Sequence, residues 1–249
     1  MSKFIYKDIG RGRFYNGDCL EVMKEIPDNT IDMILCDLPY GTTQNKWDSI
    51  IPFDKLWEQY WRIVKINSAI VLTSAQPFTS KLIMSDIDNF KYTWIWKKGL
   101  PTGHLNANIQ PLRETEDICV FYKKQCIYKP QNILPTHRVR KGSEKSNRGN
   151  YHPHSKDSLQ TITNYPTTIL NFKSDKGFHT TQKPVALFEY LIKTYTDENS
   201  LVLDNCSGSG TTSAACEKSK RNWICIEKDE IYYKKSIERI ENFTHHGIF

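Results

Sequence analysis

Asp37-Leu38-Pro39-Tyr40 places a carboxylate, a backbone carbonyl, a stiff turn and an aromatic ring on four consecutive residues. Such a set can hold a planar ring that bears an amino group. Tyr40 offers a face for stacking, while Asp37 and the Leu38 carbonyl accept hydrogen bonds from the amine. Pro39 has a fixed φ and no N–H to donate, which stiffens the turn. The tetrapeptide follows the apolar run 31–36, which reads as a buried parallel strand. In open α/β sheets ligands bind at the carboxyl ends of such strands. Taken alone, the four residues also fit an ordinary strand-to-loop turn.

A second set, far downstream, changes that balance. The apolar run 201–203 leads into Asp204-Asn205-Cys206-Ser207-Gly208-Ser209-Gly210-Thr211-Thr212 and then into a helical stretch. Gly208 and Gly210 let the backbone turn tightly and approach a ligand. The helix that follows offers unpaired N–H groups and a partial positive charge. The next strand, 223–226, ends in Glu227, which lies 17 positions after Gly210. An acid at that point is the ribose-binding arrangement of nucleotide folds. The loop lacks the Gly-Lys-Ser/Thr ending of a phosphate-binding loop and the full dinucleotide fingerprint. A ligand with ribose and no polyphosphate fits it better, and S-adenosyl-L-methionine is one such ligand.

Together these residues resemble the amino-methyltransferases that act on DNA. Asp37-Leu38-Pro39-Tyr40 is similar to that family's Asp-Pro-Pro-Tyr catalytic motif, and Asp204 to Thr212 to its cofactor loop. Thr181-Gln182-Lys183-Pro184 resembles the segment that closes over the methionine end of the cofactor, and Asn16-Gly17-Asp18-Cys19 the adenine-ring contact. The catalytic motif precedes the cofactor loop, which is the beta-type order. The resemblance implies catalysis by Asp37, Leu38, Pro39 and Tyr40. It implies cofactor binding by Asp18, Cys19, Asp37, Lys183, Pro184, Asp204, Cys206, Ser207, Gly208, Ser209, Gly210, Thr211, Thr212, Glu227 and Lys228. The implied reaction is site-specific methylation of the N6 amine of a flipped-out adenine in double-stranded DNA, with no metal. An aspartate at the first motif position is typical of the adenine enzymes and a serine of the cytosine N4 enzymes. Cytosine N4 stays open, because both amines present the same donors. A catalytically silent DNA-binding protein and a nucleotide-dependent oxidoreductase are further readings. The intact Asp37, Tyr40 and Glu227 argue against the first, and the catalytic tetrapeptide has no role in the second. A homodimer and a cognate restriction endonuclease are partners that the resemblance allows.

The sequence departs from the family pattern twice. Leu38 stands for the usual first proline, where the carbonyl is the working atom. Asn205-Cys206 stands for Pro-Phe, which removes an aromatic from the cofactor pocket.

The elements that must position these residues read as alternating strands and helices. They predict a Rossmann-like, doubly wound α/β fold with a mostly parallel sheet. Helices are expected over 18–25, 53–64, 184–195 and 230–242, and strands over 69–73, 92–96 and 118–122. In the second helix Phe53, Leu56, Trp57, Tyr60, Trp61 and Val64 share one face and read as core. Trp94 and Trp96 are expected on different faces, one in the core and one near the base pocket.

Charge is concentrated in one place. The 249 residues carry a net +6, yet residues 123–156 hold nine Lys or Arg against the single acid Glu144. That segment reads as an irregular loop. Position and charge together suggest that Arg138, Arg140, Lys141, Lys145 and Arg148 contact DNA phosphates. The expected organisation is a catalytic half over 1–123, a basic target-recognition insertion over 124–171, and a cofactor half over 172–249. The seven cysteines are scattered without a Cys-x-x-Cys pair, as in a reducing compartment. No apolar run reaches the length of a membrane span and no signal core opens the chain, so a cytoplasmic location is expected. His152 and His154 lack cysteine partners for a metal site, and His245-His246 reads as tail.

Overall fold

The computed structural model describes residues 2–41, 49–140, 157–175 and 182–246. In chain order they form β1 (Ile5–Ile9), β2 (Gly12–Asn16), α1 (Cys19–Met23), β3 (Ile31–Asp37), α2 (Phe53–Ile63), β4 (Val64–Ser74), α3 (Phe78–Ser85), β5 (Phe90–Thr102) and β6 (Arg113–Phe121). Then follow β7 (Leu134–Arg140), β8 (Ser158–Thr163), β9 (Ile169–Asn171), α4 (Val185–Tyr195), β10 (Leu201–Asp204), α5 (Thr211–Ser219), β11 (Asn222–Glu227) and α6 (Glu230–His246). Two compact units result, one of residues 1–129 with 168–249 and one of 130–167. Residues 124–129 and 168–171, at the margins of the expected insertion, fall in the larger unit.

The sheet of the larger unit runs β1-β2-β11-β10-β3-β4-β6-β5-β9. Strands β2, β11, β10, β3 and β4 are mutually parallel. Strand β6 is antiparallel to both β4 and β5. Alternation along β3 sends successive side chains to opposite faces. Met33 and Leu35 join a core with α4, α5 and α6, whereas Ile34 and Cys36 join one with α1, α2 and α3. Both faces of the sheet are therefore covered by helices, which is the doubly wound arrangement expected.

Helix α2 buries Leu56, Trp57, Tyr60 and Ile63, as its spacing predicts. Each such burial stabilises by about 1.5–3 kcal/mol. Pro184 stands just before α4 as its N-cap, with extended backbone. The strands β1 and β2 and the helix α3 were not expected from the sequence. Charged residues interrupt the first two, and Phe78–Ser85 is short.

Three expectations need correction. Trp94 and Trp96 lie two apart on β5, so they share a face, and both are buried in the same core. Their indole N–H groups donate to Tyr195 Oη at 2.6 Å and to the Phe172 carbonyl at 2.8 Å. His245 and His246 belong to the end of α6 rather than to a tail. The basic segment is not wholly irregular, because β7 and β8 pair antiparallel in the smaller unit, with Arg138 opposite Gln160 and Arg140 opposite Ser158. Two prolines and many charges hide that hairpin from a hydrophobic-period reading. Lys141, Lys145 and Arg148 lie outside the described residues.

Candidate active site

The parallel register brings the carboxyl ends of β3, β4, β10 and β11 to one edge of the sheet. Asp37 stands opposite Thr73, and Asp204 opposite Cys225. Because β6 runs the other way, its beginning lies at the same edge, with Ser74 opposite Asp117. The segments expected to serve catalysis and cofactor binding, distant in sequence, thus meet at one rim.

Asp37 is partly buried and already engaged. Its Oδ1 accepts from Tyr40 Oη at 2.7 Å and from the Thr73 hydroxyl. Its Oδ2 lies 2.8 Å from Lys183 Nζ, and the same ammonium lies 3.0 Å from Glu116 Oε2. The other oxygen of Glu116 pairs with Lys98. Burial opposes the charge on Lys183, but Asp37 and Glu116 outweigh it and hold its pKa above the ordinary lysine value. The Tyr40 ring stacks on Phe78 with centroids 5.1 Å apart, and the Lys183 ammonium sits 5.6 Å from its centroid. Burial first, and then Asp37 and Glu116, push the Tyr40 phenol well up, so it stays a donor. Leu38 is buried in the core, and Pro39 follows it into the turn.

The glycine loop is braced from two sides. Glu227 Oε2 accepts from Gly208 N at 2.8 Å, and Oε1 accepts from Asp229 N at 2.8 Å. Helix α6 donates Ser236 Oγ to the Gly208 carbonyl at 2.6 Å and Arg239 to the Ser209 carbonyl at 2.9 Å. Gly208 has a φ of +50° and no atom within 4 Å of where a Cβ would stand. Gly210 has a φ of +77°, and a Cβ there would lie 3.1 Å from Ser213 Oγ. Thr211 and Thr212 are buried at the start of α5, and Thr212 donates to Asp204. Gln182 Oε1 is buried and has no hydrogen-bond partner among the described residues.

Asp18 caps α1, accepting from Leu20 N at 3.0 Å, and pairs with the exposed Lys228 at 3.2 Å. Both sit beside Glu227, whose carbonyl takes Gly17 N at 3.0 Å and Asn16 Nδ2 at 2.9 Å. Cys19 and Cys206 influence each other's titration, with the Cys19 thiol held below and the Cys206 thiol above the ordinary cysteine value. Asn205, which stands for a proline of the resembled pattern, is buried and accepts from Tyr60 Oη at 2.5 Å. That substitution brings its own partner with it.

Burial pushes the Asp204 carboxyl up to about 7, against the hydrogen bonds from Thr212 and the Cys206 N–H. An unfolded aspartate titrates near ~3.9. The folded state therefore binds the proton more tightly, a contribution full below pH ~4 and lost as pH rises through about 7. Urea unfolding across this range should show wild-type stability falling relative to Asp204→Asn, which stays neutral. A constant difference between the two proteins would exclude the raised value.

Among the expected residues, Asp37, Leu38, Pro39, Tyr40, Lys183 and Pro184 converge on one part of the rim. Asp18, Cys19, Lys228, Glu227 and the loop from Asp204 to Thr212 form the other. Arg138 and Arg140 lie on β7, in the smaller unit. Sequence reasoning missed Glu116, Lys98, Thr73 and Phe78. Glu116 lies two residues before the strand expected at 118, and its alternation with Ile118 was the available signal.

A family model for the N6/N4-type DNA methylases matches residues 31–238. The chain is 27% identical to the type II methyltransferase M2.MboI of Moraxella bovis, over 92% of this chain and 88% of that protein. It superposes on M1.HpyAVI in complex with SAM with a TM-score of 0.62 and 22% identity, covering 92% of this chain and 98% of that one. Against the cytosine-N4-specific PvuII DNA methyltransferase the TM-score is 0.67 at 17% identity, covering 96% and 94%. The family match spans both the Asp37–Tyr40 tetrapeptide and the glycine loop that the sheet brings to one rim, and the chain belongs to the N6/N4 DNA methylase family.

Proposed function

We propose that this DNA methyltransferase transfers the methyl group of S-adenosylmethionine to the N6 amine of an adenine flipped out of double-stranded DNA. The observation that supports it is the placement of Asp37 and Glu227 along one rim, an amine acceptor and a ribose-type acid on strands of one sheet. The pocket fits the cofactor on two counts. Open space stands over Gly208, and Gln182 Oε1 is a buried acceptor with no donor among the described residues. M1.HpyAVI was solved with SAM on the same fold.

When bound, the cofactor would supply a methyl group on an electrophilic sulfonium, the sulfur keeping the electrons of the C–S bond that breaks and leaving as a neutral thioether. The residues of this chain act on the nucleophile. Flipping the base costs a few kcal/mol. The Tyr40 ring restores about 1–3 kcal/mol of stacking. Asp37 and the Leu38 carbonyl accept the two amine N–H groups, which localises the nitrogen lone pair. Positive charge grows on that nitrogen as it gains a carbon, and ionised Asp37 stabilises it more than the neutral ground state. The methylated nitrogen then gives one proton to Asp37, which passes it to solvent. Lys183 stays protonated and cannot take that proton.

Tritiated methyl transfer to duplex DNA, followed by nucleoside analysis, tests this reading. Labelled N6-methyladenine is the expected product. Labelled N4-methylcytosine would move the target to cytosine, the base named for the PvuII enzyme. Bound DNA without label would leave a silent DNA-binding protein. A homodimer, a cytoplasmic location and a cognate restriction endonuclease belong to the same proposal, in keeping with the type II name of M2.MboI.

The basic segment is proposed to track the DNA backbone. Neutralising Arg138, Arg140 and Lys141 together should make the slope of log affinity against log salt shallower by roughly 0.9 per lost phosphate contact. Cofactor affinity should not change. An unaltered slope would reduce the cluster to a solubilising surface.

A further inference from the structure

The Lys183 ammonium does two things that an incoming adenine must do. It donates to Asp37 at 2.8 Å, and it lies over the Tyr40 ring. Its side chain is only 7% exposed, so it is fixed there rather than drifting in solvent. A second cation beside the reacting nitrogen would oppose the charge that develops during transfer. Glu116 is the group that answers this. It shares Lys183 with Asp37 and also holds Lys98, and its own side chain is 14% exposed.

We propose that Glu116 is a positioning residue that holds Lys183 while Asp37 passes from that ammonium to the target amine, keeping the charge around the amine balanced. This rests on the methyltransferase reading above. The physical content is a charge count. Asp37 and Glu116 balance Lys183 and Lys98, so the four groups together are neutral. Glu116→Gln leaves one net positive charge at the site of a cationic transition state, where a poorly solvated charge acts strongly. The double variant Glu116→Gln with Lys183→Gln returns the sum to zero. A purely structural ion pair would show its loss in thermal melting, with the single-turnover rate of the folded protein unchanged.

The test combines single-turnover methyl transfer at saturating cofactor with calorimetric cofactor binding and thermal melting. Glu116→Gln should lower the rate by about 10- to 100-fold, below the loss seen when a direct transition-state contact is removed. Its cofactor affinity should stay within about twofold, because Glu116 touches neither the glycine loop nor Glu227. The double variant should recover at least part of the lost rate. A wild-type rate in Glu116→Gln, or a double variant no faster than the single, would overturn the proposal. A second readout does not depend on activity. Carbon-13 NMR titration of labelled lysines should show Lys183 losing its proton at lower pH in Glu116→Gln than in the wild type. An unchanged titration would show that Glu116 does not hold Lys183. Should the wild type transfer no methyl group to DNA, the functional reading fails, and the titration still decides whether Glu116 holds the lysine.

Discussion

Asp37→Ala should abolish methyl transfer while the protein still binds its cofactor. Removing one preorganised group that acts on developing charge costs about 10²–10³ in rate. Asp37 is also the shared acceptor of Tyr40 and Thr73 and a partner of Lys183. Its loss therefore also frees Tyr40, Thr73 and Lys183, and a fall of at least about 10³-fold is expected. Asp37→Asn keeps the shape and removes the charge, so it should be almost as poor. Single-turnover rates decide the matter, since the effect belongs to the chemical step rather than to binding. A rate near wild type in either variant would remove Asp37 from the mechanism.

Glu227→Ala should act on the other half of the rim. The carboxylate accepts two backbone N–H groups, one of them from Gly208 in the cofactor loop. Burial raises its pKa above the ordinary glutamate value, against those two hydrogen bonds. Each oxygen retains a lone pair that can accept a ribose hydroxyl. Loss of the charged acceptor should weaken S-adenosylmethionine binding by about 1.5–3 kcal/mol. Calorimetric titration measures this directly. Wild-type affinity in the variant would mean that Glu227 only braces the loop and does not touch the ribose. Asp18→Ala should cost less, because its carboxylate caps α1 and pairs with an exposed lysine.

Much of this rim was legible in the sequence because strand ends are. The runs 31–36, 201–203 and 223–226 are short, apolar and each followed by an acid, which marks the carboxyl edge of a parallel sheet. Asp37, Asp204 and Glu227 could be placed on it before any coordinates. Glu116 was harder to place, because it sits on β6, which runs against its neighbours β4 and β5, and Lys98 lies just beyond the strand expected over 92–96. Reversing a strand moves its first residues to the edge that parallel neighbours reach with their last. The role of Lys183 was hidden for a different reason. Its motif suggested the cofactor, while its partners Asp37 and Glu116 come from strands far away in sequence. Trp94 and Trp96 lie two apart on β5, so strand alternation alone puts them on one face.

Strand β10 lies between β11 and β3, and Val202 pairs with Met33. Among the described strands the ribbon β1–β2 joins the sheet through β11. During synthesis, β2 and β3 therefore emerge long before their inner neighbours exist. For that interval β3 has β4 on one side and an unpaired edge on the other, a ready template for mispairing. Closing such distant contacts is slow, and slow closure lengthens exposure. Residues from 201 onward thus finish the folding of strands made near the beginning of the chain. A chain lacking them would hold β3 with one margin unpaired.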